Sequence, residues 1–370
     1  MLKSSKGEDN MISSTSPGKL YIAGEYAVVE KGYPAIIVGV DGFITVSLEE
    51  TKDMGSIKAY DNTPISFKRK DERLILDYRD NRLFYLINSI NIVEILVKEM
   101  GKELKFYNLK VESELEDLEG KKYGLGSSAA VTISTIKVLC KFYGIETTKE
   151  KLFKLASLVH LKVNSNGSCG DIAASVYGGW ISFKTFDKNW VLEKRANLTI
   201  KQLLDKKWPF LEIKRLTPPE DLNLLIGWTG RPSSTTILVD RVNKSRQDNS
   251  QFYKSFLEKS KACVENIIKA FEKGDLLGIQ NGIMINRNLL VNMGQELGIQ
   301  IETLGLSRLC DIALKFNGAA KSSGAGGGDC GIAIFNDKSN LEKLIYEWKK
   351  EGITHLPLKV YIEEELKSDQ

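Results

Sequence analysis

The chain has 370 residues, 42% of them hydrophobic and 27% charged, and a formal net charge of +4. That length allows two domains around a substantial core, and so mild a charge argues against nucleic acid as a partner. Five scattered cysteines (Cys140, Cys169, Cys263, Cys310, Cys330) without a C-x-x-C argue against a disulfide framework or zinc knuckle, and two histidines exclude a His-rich metal centre.

Residues 1–10 are polar and lack the apolar core of a signal peptide. They read as a disordered leader or an expression remnant, with Met11 as an alternative start. No apolar run approaches the roughly 20 residues that span a bilayer. Ser16 to Val29 is predicted as a strand opened by a Pro-Gly turn, and Ala35 to Val40 and Phe43 to Leu48 continue in β-branched strand character. Ile57 to Phe67 and Leu74 to Tyr78 read as further strands. Leu83 to Met100 has helical periodicity and stops at Gly101, and Phe106 to Glu112 alternates as a strand.

The glycine turn Gly124-Leu125-Gly126 then feeds Ser127-Ser128-Ala129-Ala130 and an apolar helix. The serines are good N-cap residues. A helix entered this way is either a capped core helix or an anion site, because free N–H groups and the positive end of the helix dipole converge there. It matches neither the P-loop nor the dinucleotide-binding pattern. Lys149 to Val163 reads as a second helix, which makes His160 a packed helix residue. Asp171 to Tyr177 reads as a short helix and Trp180 to Phe183 as a strand. Lys194 to Glu220, with Trp208-Pro209 and Pro218-Pro219, reads as the junction between a first domain at 11–215 and a second at 216–370. Leu222 to Gly227 is a buried strand, followed by a small-residue loop at Thr229 to Thr236. Helices are predicted over Ser250 to Lys273, Leu276 to Met293 and Ile301 to Asn317. Cys330 to Phe335 reads as a strand, Leu341 to Glu351 as a helix and Leu356 to Glu364 as a closing strand. This order suits an α+β architecture.

Four positions carry chemistry. Lys19, between a rigid turn and an apolar strand, reads as a snorkelling lysine or a point-charge phosphate ligand. Glu25 sits in an apolar run and needs a cation or a backbone amide as partner. Asp171, at the first turn of its helix, is either a dipole-stabilised acid or one that orients or deprotonates a phosphoryl acceptor. The loop Ser323-Gly324-Ala325-Gly326-Gly327-Gly328 is too rich in glycine for a mere turn. It makes sense where backbone N–H groups approach a ligand closely.

Pro17 to Glu25, Gly124 to Ala130 and Ser323 to Gly328 occur in the order of the three motifs of the GHMP kinase superfamily, which the chain resembles over nearly its whole length. That superfamily includes galactokinase, homoserine kinase, mevalonate kinase and phosphomevalonate kinase. Within it, Lys121-Lys122-Tyr123, Ser168 to Asp171, Gly178-Gly179-Trp180, Gly227-Trp228-Thr229-Gly230 and Asp329-Cys330-Gly331 are similar to the bacterial phosphomevalonate kinases. Mevalonate kinases usually lack an acid at the position of Asp329.

The resemblance implies a two-domain GHMP kinase fold of α+β class. Its N-terminal half would resemble domain 2 of ribosomal protein S5, its C-terminal half would be ferredoxin-like, and the site would lie between them. It implies an ATP- and Mg²⁺-dependent transfer to 5-phosphomevalonate by a cytoplasmic monomer or homodimer, with mevalonate kinase or another small-molecule kinase of the superfamily as the alternative. Gly124, Leu125, Gly126, Ser127, Ser128 and Ala129, with Lys122, would bind the ATP phosphates, and Ser128 would help hold Mg²⁺. Lys19 would neutralise the transferring group, with Asp171 beside it. Ser168, Arg231, Ser233, Ser234, Ser323, Gly324, Ala325 and Gly326 would face the acceptor. Mevalonate kinases carry a magnesium-binding Glu a few residues before the acid matching Asp171. Lys162 to Gly167 contains none, which leaves the second magnesium ligand open to water and ATP oxygens. A phosphomonoester acceptor, with a second pKa of about 6, is already an anion at neutral pH. It needs charge neutralisation and alignment more than a base.

Overall fold

A computed structural model describes residues 11–59, 63–70, 73–76, 83–117, 119–231, 238, 242, 250–336 and 339–363. β1 (Ile12–Ala23) runs antiparallel to the long β2 (Pro34–Thr51), pairing Lys19 with Gly39, and its register shifts at Pro17/Gly18 and again at Tyr21/Ala23. β2 is long enough to serve two further neighbours: β6 (Phe106–Ser113) along its second half and β7 (Trp180–Lys184) along its first. With β3 (Gly55–Ala59), β4 (Ile65–Lys70), β5 (Arg73–Leu76) and β8 (Glu212–Leu216) they make an eight-stranded sheet in the order β5-β4-β3-β6-β2-β7-β8, β1 pairing with β2 off that path. Four helices pack together on it: α1 (Phe84–Glu99), α2 (Ser127–Phe142), α3 (Lys149–Val163) and α4 (Gly170–Tyr177). α2 is buried nearly all round, as its unbroken run of small and apolar residues requires.

The stretch read as a junction is itself structured. α5 (Lys188–Asn197) and α6 (Ile200–Leu204) are capped by Asp187 and Thr199, and β8 pairs with β7. A division at 215/216 therefore falls within a strand of the large sheet.

The second sheet, in the order β10-β11-β9-β12, is antiparallel throughout. Its strands are β9 (Asn223–Trp228), β10 (Ala319–Ser322), β11 (Cys330–Phe335) and β12 (Thr354–Leu356). With α7 (Ser250–Lys273), α8 (Leu276–Leu297) and α9 (Leu304–Lys315) between β9 and β10, and α10 (Leu341–Lys350) before β12, this is the strand order of a ferredoxin-like half. Leu341, Leu344, Ile345 and Trp348 form one stripe of α10 at helical spacing, and they pack with Leu309, Ile312 and Ala313 of α9 against β11. Each such side chain contributes about 1.5–3 kcal/mol on burial.

The closing strand, expected over Leu356 to Glu364, lies instead at Thr354–Leu356. After Leu356 the chain leaves the second sheet and crosses back to the first, where Tyr361 N–H donates to Gly39 O at 2.9 Å and Gly179 N–H to Tyr361 O at 2.6 Å. Among the described residues no helix is long and apolar enough to cross a membrane.

Candidate active site

The three glycine-containing stretches converge on one cavity of about 340 Å³ between the two sheets. Lys19 is 9% exposed on β1. Its N–H donates to Leu125 O at 2.8 Å and its ammonium to Gly124 O at 3.1 Å, so the strand and the second glycine stretch are tied twice. Burial pulls the pKa of this ammonium below the ordinary lysine value, opposed by the charges of Asp171 and then Asp329. Lys19 is thus the held cation of the two readings, not a snorkelling one.

Gly126, at φ +81°, is the N-cap of α2, and the capping expected of the serines is absent: no side chain caps this end. The left-handed turn leaves Ser127 and Ser128 lining the cavity at the helix mouth, where first-turn N–H groups have no helical partner. The Ala129 N–H, by contrast, bonds to Gly126 O at 3.1 Å, and Leu125 and Ala129 are buried away from the cavity. Lys122, exposed, reaches the rim.

Asp171 enters at the start of α4, half-buried, with its Oδ1 taking the Ile172 N–H at 3.0 Å. Cys169 before it is left-handed at φ +63°, an uncommon conformation for a residue with a Cβ. Ser168 lines the cavity. In the third stretch Gly324 and Ala325 line the cavity, the Ser323 hydroxyl donates to Tyr21 O at 2.9 Å, and Gly326 is packed against Ile301. Arg231 is exposed, and its carbonyl takes the Asp329 N–H at 2.8 Å. Ser233 and Ser234 lie outside the described residues.

Glu25 has the cation it needed: Lys321 of β10, fully buried, pairs with it across the two sheets and also donates to Ser322 O at 2.6 Å. The other oxygen, Oε2, is buried without a partner, and Glu25 lines the cavity. Tyr26, left-handed at φ 63°, donates from its phenol to Ala325 O at 2.5 Å, a second tie across the sheets.

Some lining residues escaped sequence reasoning. Tyr21 lies two positions from Lys19 on the same strand, so period-two alternation could have found it. His160 is buried on α3 as expected, but its ring lines the cavity beside Tyr85 (centroids 4.7 Å apart), and Asn164, four residues on, lines it too. Burial lowers the His160 pKa, and Nε2 has no partner. Burial likewise pushes the Tyr85 phenol up to about 12. Asp329, left-handed at φ 53°, brings a third carboxylate to the cavity, after Asp171 and Glu25.

Among the described residues no group of three or more His, Cys, Asp or Glu could hold a metal by itself. The Ser128 hydroxyl and the Asp171 carboxylate, both lining the cavity, fit instead a hydrated cation that arrives with its own oxygen ligands.

Comparison with known proteins agrees with this architecture. The family models for the GHMP kinases N terminal domain and the GHMP kinases C terminal match residues 87–179 and 267–354. A phosphomevalonate kinase of Streptomyces sp. (strain CL190) is 36% identical over 93% of this chain and 95% of its own length. The crystal structure of a Lin0012 protein from Listeria innocua superposes with a TM-score of 0.89 at 41% identity, covering 96% of this chain and all (100%) of that one. Streptococcus pneumoniae phosphomevalonate kinase in complex with phosphomevalonate and AMPPNP superposes at 0.83 with 28% identity, covering 95% of this chain and 100% of that one. The chain has the two-domain GHMP kinase fold and belongs to the GHMP kinase family, as a homologue of phosphomevalonate kinase.

Proposed function

We propose that this chain is an ATP-dependent phosphotransferase that passes the γ-phosphoryl group of MgATP to the phosphate of 5-phosphomevalonate, giving 5-diphosphomevalonate and ADP in the mevalonate route to isoprenoids. The observation that carries the reading is the placement of Lys19: a buried ammonium bonded to the second glycine stretch, in one cavity with Asp171 and the third stretch. The relatives named above supply the acceptor.

Ser127, Ser128 and the Gly124–Gly126 backbone receive the ATP phosphates at the mouth of α2, with Lys122 at the rim. Ser128 and Asp171 would hold Mg²⁺, which would supply neutralisation of the phosphate charge. Lys19 neutralises the transferring group, and an arriving phosphate restores the basicity that burial removes. Gly324 and Ala325, anchored by Ser323, face the acceptor, together with Ser168 and Arg231. Because a phosphomonoester oxygen is already ionised, Asp171 orients Lys19 and the acceptor and abstracts no proton. The same reading places the enzyme in the cytoplasm, in keeping with five cysteines that are all unpaired.

The test is ADP release with MgATP, offering mevalonate and 5-phosphomevalonate in parallel. Turnover with the phosphate ester alone is expected. Turnover with mevalonate alone sinks the acceptor assignment and returns Asp171 to the role of base.

A further inference from the structure

Three separate parts of the site meet on one residue that the reaction as described does not use. The Tyr21 ring lies 5.7 Å from the Lys19 ammonium, within cation–π range. Its phenol is 2.9 Å from Ser168 Oγ, which in turn accepts the Gly170 N–H at 3.1 Å. Its carbonyl takes the Ser323 hydroxyl at the root of the third glycine stretch, 2.9 Å away. The fit against the 168–171 turn is close, since a Cβ on Gly170 would overlap the phenol oxygen. That turn also holds Cys169 in its left-handed conformation. Such a conformation costs about 1–3 kcal/mol and persists only where its surroundings over-determine it. The Tyr21–Ser168–Gly170 bonds are part of that support, together with the bond from Thr185 Oγ1 to Ser168 O at 2.8 Å.

We propose that Tyr21 is a positioning residue for phosphoryl transfer: its hydroxyl fixes the Ser168–Gly170 turn that aims Asp171, and its ring fixes the Lys19 ammonium. Lysine and acid then face the acceptor as a set pair. The proposal rests on the kinase reading above. Tyr21 moves no proton in it, because burial, reinforced by the Asp171 charge, raises the phenol pKa far above its ordinary value.

Tyr21→Phe keeps the ring and removes the hydroxyl, and is compared with Ser168→Ala and the double variant. We expect kcat for Tyr21→Phe to fall about 10- to 50-fold, with KM for ATP within about twofold of wild type. The double variant should be no slower than Ser168→Ala by more than about twofold, since both changes cut one chain of bonds. Amide hydrogen exchange in the 168–176 segment of Tyr21→Phe should quicken while exchange in α2 stays the same, a local loosening that general destabilisation would not confine there. A kcat within twofold of wild type, losses that multiply in the double variant, or unchanged exchange over 168–176 would each overturn the proposal. Wild-type turnover of 5-phosphomevalonate is measured first. Its absence overturns the acceptor assignment on which this proposal rests, whereas an active wild type with an equally active Tyr21→Phe overturns only the role of Tyr21.

Discussion

The second and third glycine stretches look alike in sequence and are built for opposite reasons. At the second, the protein itself fills the space a side chain would need. A Cβ on Gly124 would lie 2.5 Å from Asp329 Cγ, and one on Gly126 would lie 2.9 Å from Lys19 Cε. At the third, Gly324 has a left-handed φ of +77° and nothing within 4 Å of its missing Cβ. Gly124 and Gly126 combine a left-handed φ of +81° with charged groups of the site closed onto them, whereas Gly324 is glycine for its backbone alone, with open space beside it for a ligand. Glycine content therefore marks both stretches without saying which one receives the mobile partner.

The comparison breaks most sharply at Lys19, whose stem occupies the space Gly126 leaves. Lys19→Met should lower kcat/KM at least about 1,000-fold, roughly 4 kcal/mol, in the ADP-release assay. It should also raise Tm by a degree or more at pH 7, because a buried ammonium is removed. The sign follows from the lowered pKa. The folded lysine binds fewer protons than the unfolded one between its depressed pKa and the ordinary value, so wild-type stability rises with pH through that window. The gain from Lys19→Met should accordingly be largest near neutrality and shrink towards pH 10. A gain that grows with pH would contradict the burial argument.

Next in size is the anchor of the third stretch. Lys321→Met leaves Glu25 buried without its cation and should cost about 3 kcal/mol in urea unfolding. Adding Glu25→Gln should recover part of that loss. If the double variant is the less stable of the two, the pair is not what holds the sheets together at this point.

The smallest effects come from the glycines themselves. Gly124→Ala drives a methyl into Asp329 and should cost about 2 kcal/mol of stability and about 100-fold in kcat. Gly324→Ala meets no atom and should cost only the left-handed backbone term, about 1 kcal/mol. Its kinetic effect should appear as a raised KM for the acceptor with KM for ATP unchanged. Equal losses in kcat for the two variants would erase the distinction drawn above.

What the sequence made legible follows from how local each signal is. Pro17 to Glu25, the turn into α2 and the loop before Cys330 announce themselves through residue type alone, and Glu25 announced that it needed a partner. Naming Lys321 as that partner takes the packing of β10 against the end of β1, which no local pattern contains. His160 is similar. Its helix was predictable, but the face turned to the cavity is set by how α3 meets α1 and α2. β8 was lost to its proline-rich surroundings, since only pairing with β7 makes Glu212–Leu216 a strand. The last strand reads too far along the chain because the apolar run continues past Leu356 while its hydrogen-bonding partner changes from one sheet to the other.

That change of partner sets an order of events during synthesis. Lys359 N–H donates to Asp41 Oδ1 at 2.6 Å and Asp41 N–H to Lys359 O at 3.0 Å, a clasp between residues 318 positions apart. Phe43 and Tyr361 add an edge-to-face contact at 5.1 Å. A nascent chain can pair β1 with β2 early, but this seam of the first sheet stays open until residue 361 has left the ribosome. The half that carries Lys19 thus waits on the last stretch of the other half, and a chain released early would carry a complete set of site residues on an unsealed sheet.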